Sequence, residues 1–181
     1  PNQATWQPGP ILPNGKGLIF LSMESRRDGD GKSFDKYYTQ TPTHLWLYDL
    51  KTSDLRELCT KDRPAPFITP ALLLGDDRML IQVVRDGVGQ IYSVHLDGSD
   101  ARECTRAGEG LPYGLSLRPD GPRVAFHLAS PAGYQIWTSD LDGQDRRLAA
   151  ADPAHLYFGT SWSPDGKSIL FVDCHYHDDP G

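Results

Sequence analysis

Apolar and polar positions along the chain alternate in short runs rather than at helical spacing. Leu45-Trp46-Leu47-Tyr48-Asp49-Leu50, Ile91-Tyr92-Ser93-Val94-His95-Leu96 and Ile136-Trp137-Thr138-Ser139-Asp140-Leu141 each place an aromatic second and alternate thereafter. That is the period of a half-buried strand. Ahead of each lies a turn between two shorter apolar runs: Leu12 to Phe20 around Pro-Asn-Gly, Leu74 to Ile81 around Gly-Asp-Asp, Leu117 to Phe126 around Pro-Asp-Gly. Ser161 to Phe171 repeats the last pattern. The turn positions Gly15, Asp77, Gly121 and Gly166 stand 62, 44 and 45 residues apart. After each aromatic run comes a second turn, Lys51 to Asp54, Asp97-Gly98 or Asp142-Gly143, and then a short run ending near Cys59, Cys104 or Leu148. Asp-Gly between strands marks a hairpin, because glycine takes the positive φ the turn requires.

The unit is therefore strand, turn, strand, loop, aromatic strand, turn, edge strand. Four-stranded antiparallel sheets recurring at this period predict an all-β chain, a β-propeller fragment of about three and a half blades. The blades are expected at about 6–60, 67–105, 113–149 and 157–181, in a single partial propeller. The first is longer by an insertion over 23–43. Such a piece leaves unpaired strand edges and is expected to be completed by further blades of a longer chain.

Composition narrows the function classes. The net charge is −6 with pI near 5.4, and the cations are scattered, which argues against nucleic acid as the main partner. No apolar run reaches the ~20 residues of a membrane span. Cys59 and Cys104 fall at matching places in successive repeats, with Leu148 near that place in the third, so they read as small apolar core residues rather than a disulfide pair. Cysteine usage leaves the compartment open.

Candidate chemistry is sparse. Asp173-Cys174-His175-Tyr176-His177-Asp178-Asp179 is the densest run of ligand-type residues. On an extended chain His175, His177 and Asp179 project to one side, a donor set suited to Zn²⁺ or another transition metal; following a repeat strand, the segment reads better as a polar loop between the second and third strands of the fourth blade. His127 and His155 are the candidate ligand-binding residues, since such positions lie near an end of a propeller's channel. Asp28, Asp30 and Asp35 in the insertion offer oxygens for Ca²⁺, but their spacing is not a complete EF-hand loop, and they read better as an exposed, solvated loop. His44 and His95 read as ordinary hydrogen-bonded histidines. Asp97, Asp100, Asp142 and Asp145 read as hairpin tips, and Trp46, Tyr92 and Trp137 as core between blades. No Gly-x-Ser-x-Gly elbow, phosphate loop or Cys-x-x-Cys occurs.

Ser163-Pro164-Asp165-Gly166-Lys167-Ser168-Ile169-Leu170-Phe171, with the Ile136 to Leu148 run, resembles the PD40, or WD40-like, repeat of TolB-like propellers. The resemblance covers roughly residues 12–174. It implies a ring usually of six or seven blades, and a periplasmic or secreted setting. It also implies one of three roles. The first is a binding scaffold recognising a protein, peptide or oligosaccharide. The second is part of a polysaccharide lyase similar to oligogalacturonate lyases, with a divalent metal, Mn²⁺ or Zn²⁺, assisting β-elimination. The third is the non-catalytic propeller of a larger hydrolase. One fold serves all three.

Overall fold

The computed structural model describes residues 3–24, 43–59, 71–75, 77–85, 88–106 and 108–175. The expected insertion at 23–43 falls mostly outside them, and with it the candidate Ca²⁺ ligands Asp28, Asp30 and Asp35. Among the described residues the chain is all-β, and no helix is long and apolar enough to cross a membrane. Contacts divide it into two compact units, Pro1–Glu103 and Cys104–Gly181.

The first unit holds two four-stranded antiparallel meanders. One is β1 (Gln3–Ile11), β2 (Gly17–Glu24), β3 (Thr43–Asp49) and β4 (Leu55–Glu57). The other is β5 (Leu72–Leu73), β6 (Arg78–Arg85), β7 (Val88–His95) and β8 (Arg102–Glu103). Ile19, Leu21, Leu45 and Leu58 from the first sheet join Met79, Ile81, Val83 and Val94 from the second in one buried cluster, with Tyr92 packed against it. Alternation makes this possible, because it sends every second side chain of β2, β3, β6 and β7 to the same face.

The second unit holds a third meander, β9 (Leu111–Leu117), β10 (Arg123–Ser130), β11 (Gly133–Asp140) and β12 (Arg147–Ala151). A two-stranded hairpin follows, β13 (His155–Trp162) and β14 (Ile169–His175). The sheets are those of partial propeller blades. The hairpin is stitched to the third sheet: the Trp162 backbone N–H donates to Ser116 Oγ at 2.9 Å and its indole N–H to the Ser116 carbonyl at 3.1 Å. The Thr160 hydroxyl donates to the Gly114 and Ala125 carbonyls.

The register makes the repeat explicit. Phe20 pairs with Trp46, Ile81 with Tyr92, and Phe126 with Trp137. The first strands β9 and β13 both break register midway, at Gly114 (φ +59) and Gly159 (φ +65). A glycine in the left-handed region is the natural seat of such a bulge, which bends the strand.

Three details of the sequence reading change. In the second sheet the left-handed turn glycine is Gly75 (φ +107), not the position of Asp77. Leu148 does not correspond to the buried cysteines: it pairs with Trp137, as Glu57 pairs with Trp46 and Glu103 with Tyr92, and it is half exposed. By the same register Cys104 aligns with Leu58, and Cys59 lies one residue beyond. Both cysteines are thiols and fully buried. Burial pushes the Cys59 thiol up to about 12, and the Cys104 S–H donates to the Leu141 carbonyl at 2.8 Å.

Asp100 and Asp145 act as structural clamps. Arg78, the first residue of β6, reaches the carboxylate and the carbonyl of Asp100 across the second turn. Arg123, the first residue of β10, does the same to Asp145. Hydrogen bonds from Arg102 and Arg78 hold the Asp100 carboxyl below its ordinary range, and those from Arg123 and Arg147 do the same for Asp145. The first sheet has Gly17 at the clamp position and lacks the arginine.

Candidate functional site

Among the described residues, one group of three ligating side chains converges, on the hairpin β13–β14. Antiparallel pairing sets His155 opposite His175 and Tyr157 opposite Asp173. Residues 173 and 175 share a face of β14, because side chains alternate. One ligand atom each from His155, Asp173 and His175 therefore lies within 4.8 Å of the others. His155 Nδ1 is 2.6 Å from Asp173 Oδ1. The His155 and His175 rings have centroids 4.0 Å apart.

The surroundings complete the picture. Asp152 caps the turn before β13, accepting the Ala154 N–H through Oδ1 at 2.9 Å, and its Oδ2 lies 4.0 Å from His155 Nε2. The Tyr157 ring is 5.6 Å from His155 and meets Phe171 edge-on at 5.2 Å. Burial, and then the charges of Asp173 and Asp152, push the Tyr157 phenol above its ordinary value. At neutral pH it is a proton donor rather than a base.

Two imidazoles and a carboxylate suit Zn²⁺, Mn²⁺ or Fe²⁺. An ion held at ~2.1 Å from each donor requires donors to stand ~3 Å or more apart. The His155–Asp173 hydrogen bond would then open by a few tenths of an ångström as its proton is displaced, a small movement for side chains that are 19% and 42% exposed. The residues fit a divalent ion.

The histidines proposed from sequence separate into different environments. His155 and His175 come together. His177 and Asp179 lie outside the described residues. Asp173, absent from the sequence-derived triad, takes part instead. The alternation that placed His175, His177 and Asp179 on one side also places Asp173 there, and the partner across the hairpin needed the β13–β14 register.

His127 is buried in the centre of the third sheet, stacked on Tyr113 at 5.1 Å, with Nδ1 lacking a hydrogen-bond partner. Burial lowers its pKa to about 4. The ring is neutral and enclosed. His44 Nδ1 bonds Glu57 Oε1 at 2.7 Å, and His95 lies between Asp77 and Asp100 at 3.8 and 3.7 Å.

A second feature of this unit is a cleft of about 430 Å³ beside β11. Arg146 lies across the Trp137 ring, 5.0 Å from its centroid, and pairs through Nη1 with Glu109.

No family model and no curated protein matches this sequence. Solved structures do match in fold. TolB from Acinetobacter baumannii is 19% identical with a TM-score of 0.63, over 90% of this chain and 36% of that one. An oligogalacturonate lyase in complex with manganese is 18% identical with a TM-score of 0.60, over 92% of this chain and 47% of that one. The oligogalacturonate lyase of Vibrio parahaemolyticus is 15% identical with a TM-score of 0.65, over 93% of this chain and 46% of that one. This chain thus spans less than half the length of these three proteins. At such identities the likeness shows a β-propeller-like fold and no particular family.

Proposed function

We propose that the chain is part of a β-propeller that holds a divalent metal ion at His155, Asp173 and His175 and serves metal-assisted β-elimination on an acidic oligosaccharide. The carrying observation is the convergence of the three ligand atoms within 4.8 Å on paired strands. The fold likeness to a lyase in complex with manganese supports the choice of reaction class.

When bound, such an ion supplies Lewis acidity toward a uronate carboxylate, which makes the adjacent C–H proton easier to remove. The chain's own groups set the stage. Before an ion binds, the contact between His155 Nδ1 and Asp173 Oδ1 holds the ring beside the carboxylate, so that both are in place for the ion. The neutral Tyr157 phenol is available to donate a hydrogen bond beside the cluster. A binding scaffold for a protein, peptide or oligosaccharide, without chemistry of its own, is the second reading. The fold likeness to TolB favours it.

The test is metal content and calorimetry of the intact protein with Mn²⁺ and Zn²⁺, together with an ultraviolet assay for unsaturated uronates from oligogalacturonate. Binding of about one ion is expected. His155→Ala and His175→Ala should each weaken it at least as much as the about 10–100-fold typical of losing a mere supporting residue. Metal binding without product leaves the scaffold reading standing and removes the lyase. No metal binding removes the site.

A further inference from the structure

The four-stranded sheets end on unequal edge strands. β4 is Leu55-Arg56-Glu57 and β8 is Arg102-Glu103, both short and charged. β12 is longer, Arg147-Leu148-Ala149-Ala150-Ala151, and uncharged after its first residue. All but Ala150 are exposed, Leu148 by half. Among the described residues β12 pairs only with β11, so its other side presents backbone N–H and C=O groups with no strand beside them. Such an edge is a template for another strand, and short length and charge are the usual defences. β4 and β8 carry those defences and β12 does not. The first two sheets meet through their faces, so a further blade packed in the same way would leave this edge open.

The ends of β12 point to the occupant. Arg147 at its start is 68% exposed and shares Asp145 with Arg123, so a positive charge is left over there. Asp152, just past its end, is 49% exposed, with Oδ1 on the Ala154 N–H and Oδ2 4.0 Å from His155 Nε2. A strand with a cation at one end and a carboxylate at the other is complementary to its own antiparallel copy. The register agrees. Arg147 pairs with Thr138, Leu148 with Trp137, Ala150 with Ile136 and Ala151 with Gln135, which leaves Ala149 as an extra, bulged residue. Arg147 and Ala150 therefore share one face of the sheet, and Leu148 and Ala151 the other. Asp152, one step on, returns to the face of Arg147. Without the bulge, 147 and 152 would fall on opposite faces, and two copies could not match their ends.

We infer that β12 pairs with the β12 of a second copy of this chain, antiparallel about a two-fold axis. Arg147 stands opposite the second copy's Asp152, and Leu148 opposite its Ala151. The contact is isologous and closes at a dimer, joining two four-stranded sheets into one. So short an edge gives an association of the weak, transient class. No proposed metal ligand takes part, so the inference stands apart from the metal reading.

Sedimentation equilibrium of the intact chain, from about 10 μM to about 1 mM, reads the association. A monomer–dimer equilibrium is expected, with amide hydrogen exchange over residues 147–151 slowing as concentration rises. Leu148→Lys, at a half-exposed position, sets charge into the middle of the contact and should weaken dimerisation at least about tenfold. Arg147→Glu and Asp152→Arg should each do the same, since each then faces like charge with like. Mixed in equal amounts, those two variants should dimerise again, because each supplies the charge the other lacks. The inference is overturned if the wild-type chain stays monomeric to the top of that range, or if a dimer forms with exchange over β12 unchanged. It is equally overturned if any of the three variants dimerises as well as wild type, or if the mixture associates no more tightly than its components. Should a charge variant not fold, Leu148→Lys and the exchange over β12 decide.

Discussion

Strands β10 and β14 occupy the same place in the repeat, each entered from a Pro-Asp-Gly turn 45 residues from its counterpart, yet they do different things. β10 has a neighbour on both sides, β9 and β11, and it buries Val124, Ala125, Phe126, His127 and Leu128 in succession. Among the described residues β14 pairs only with β13, and Leu170 is 75% exposed and Val172 45%. The substitutions follow the difference. Where β10 has Leu128 and Ser130, β14 has Asp173 and His175. One copy has become core, and its histidine is enclosed and neutral. The other presents its histidine and carboxylate at the surface, where an ion or substrate can reach them.

The largest test of this contrast is truncation. Phe126 is fully buried, so Phe126→Ala should cost about 3–5 kcal/mol. Leu170→Ala should fall within about 0.5 kcal/mol of wild type. Denaturant midpoints at constant m measure both, and similar losses at the two sites would break the comparison.

The next test is pH. The folded pKa of His127 is about 4, below its ordinary 6.5, so the unfolded chain binds its proton first as pH falls. The stability tied to the neutral ring is full above pH ~6.5 and is lost as pH drops toward 4, by about 2–3 kcal/mol. His127→Gln should flatten that part of the stability–pH curve. A slope that persists undiminished in the variant would place the titrating group elsewhere.

A finer test uses the paired bulge glycines. A Cβ on Gly114 would sit 2.8 Å from His127 Nδ1, whereas on Gly159 the nearest atom is Val172 Cγ2 at 3.9 Å. Both positions carry the same backbone strain, so Gly159→Ala should cost about 1 kcal/mol and Gly114→Ala about 1–2 kcal/mol more. Equal costs would mean that the buried strand is no more tightly packed than the exposed one.

Much of the fold is legible in the chain. Turn residues mark the ends of β2, β3, β6, β7, β10 and β11, where the chain needs a defined reversal; β3 carries the alternation of a half-buried strand, while β6 and β10 read as apolar runs because both their faces are buried. The bulges at Gly114 and Gly159 are less visible, since a single glycine in a strand also signals a loop. The site was legible only in part. Ligand-type residues at 173 to 179 announce chemistry, but which of them meet depends on a strand that precedes them by about twenty residues.

The sequence by itself determined the strand pattern, the repeat and the presence of a ligand-rich terminus, because these depend on local periodicity and residue type. The tertiary structure alone decided which histidine joins a cluster of ligand-type groups. His127 and His155 look alike in the chain, and only the neighbours packed around each make one a neutral core group and the other a partner of Asp173 and His175. Burial and cross-strand register are properties of distant residues brought together, and no local pattern encodes them.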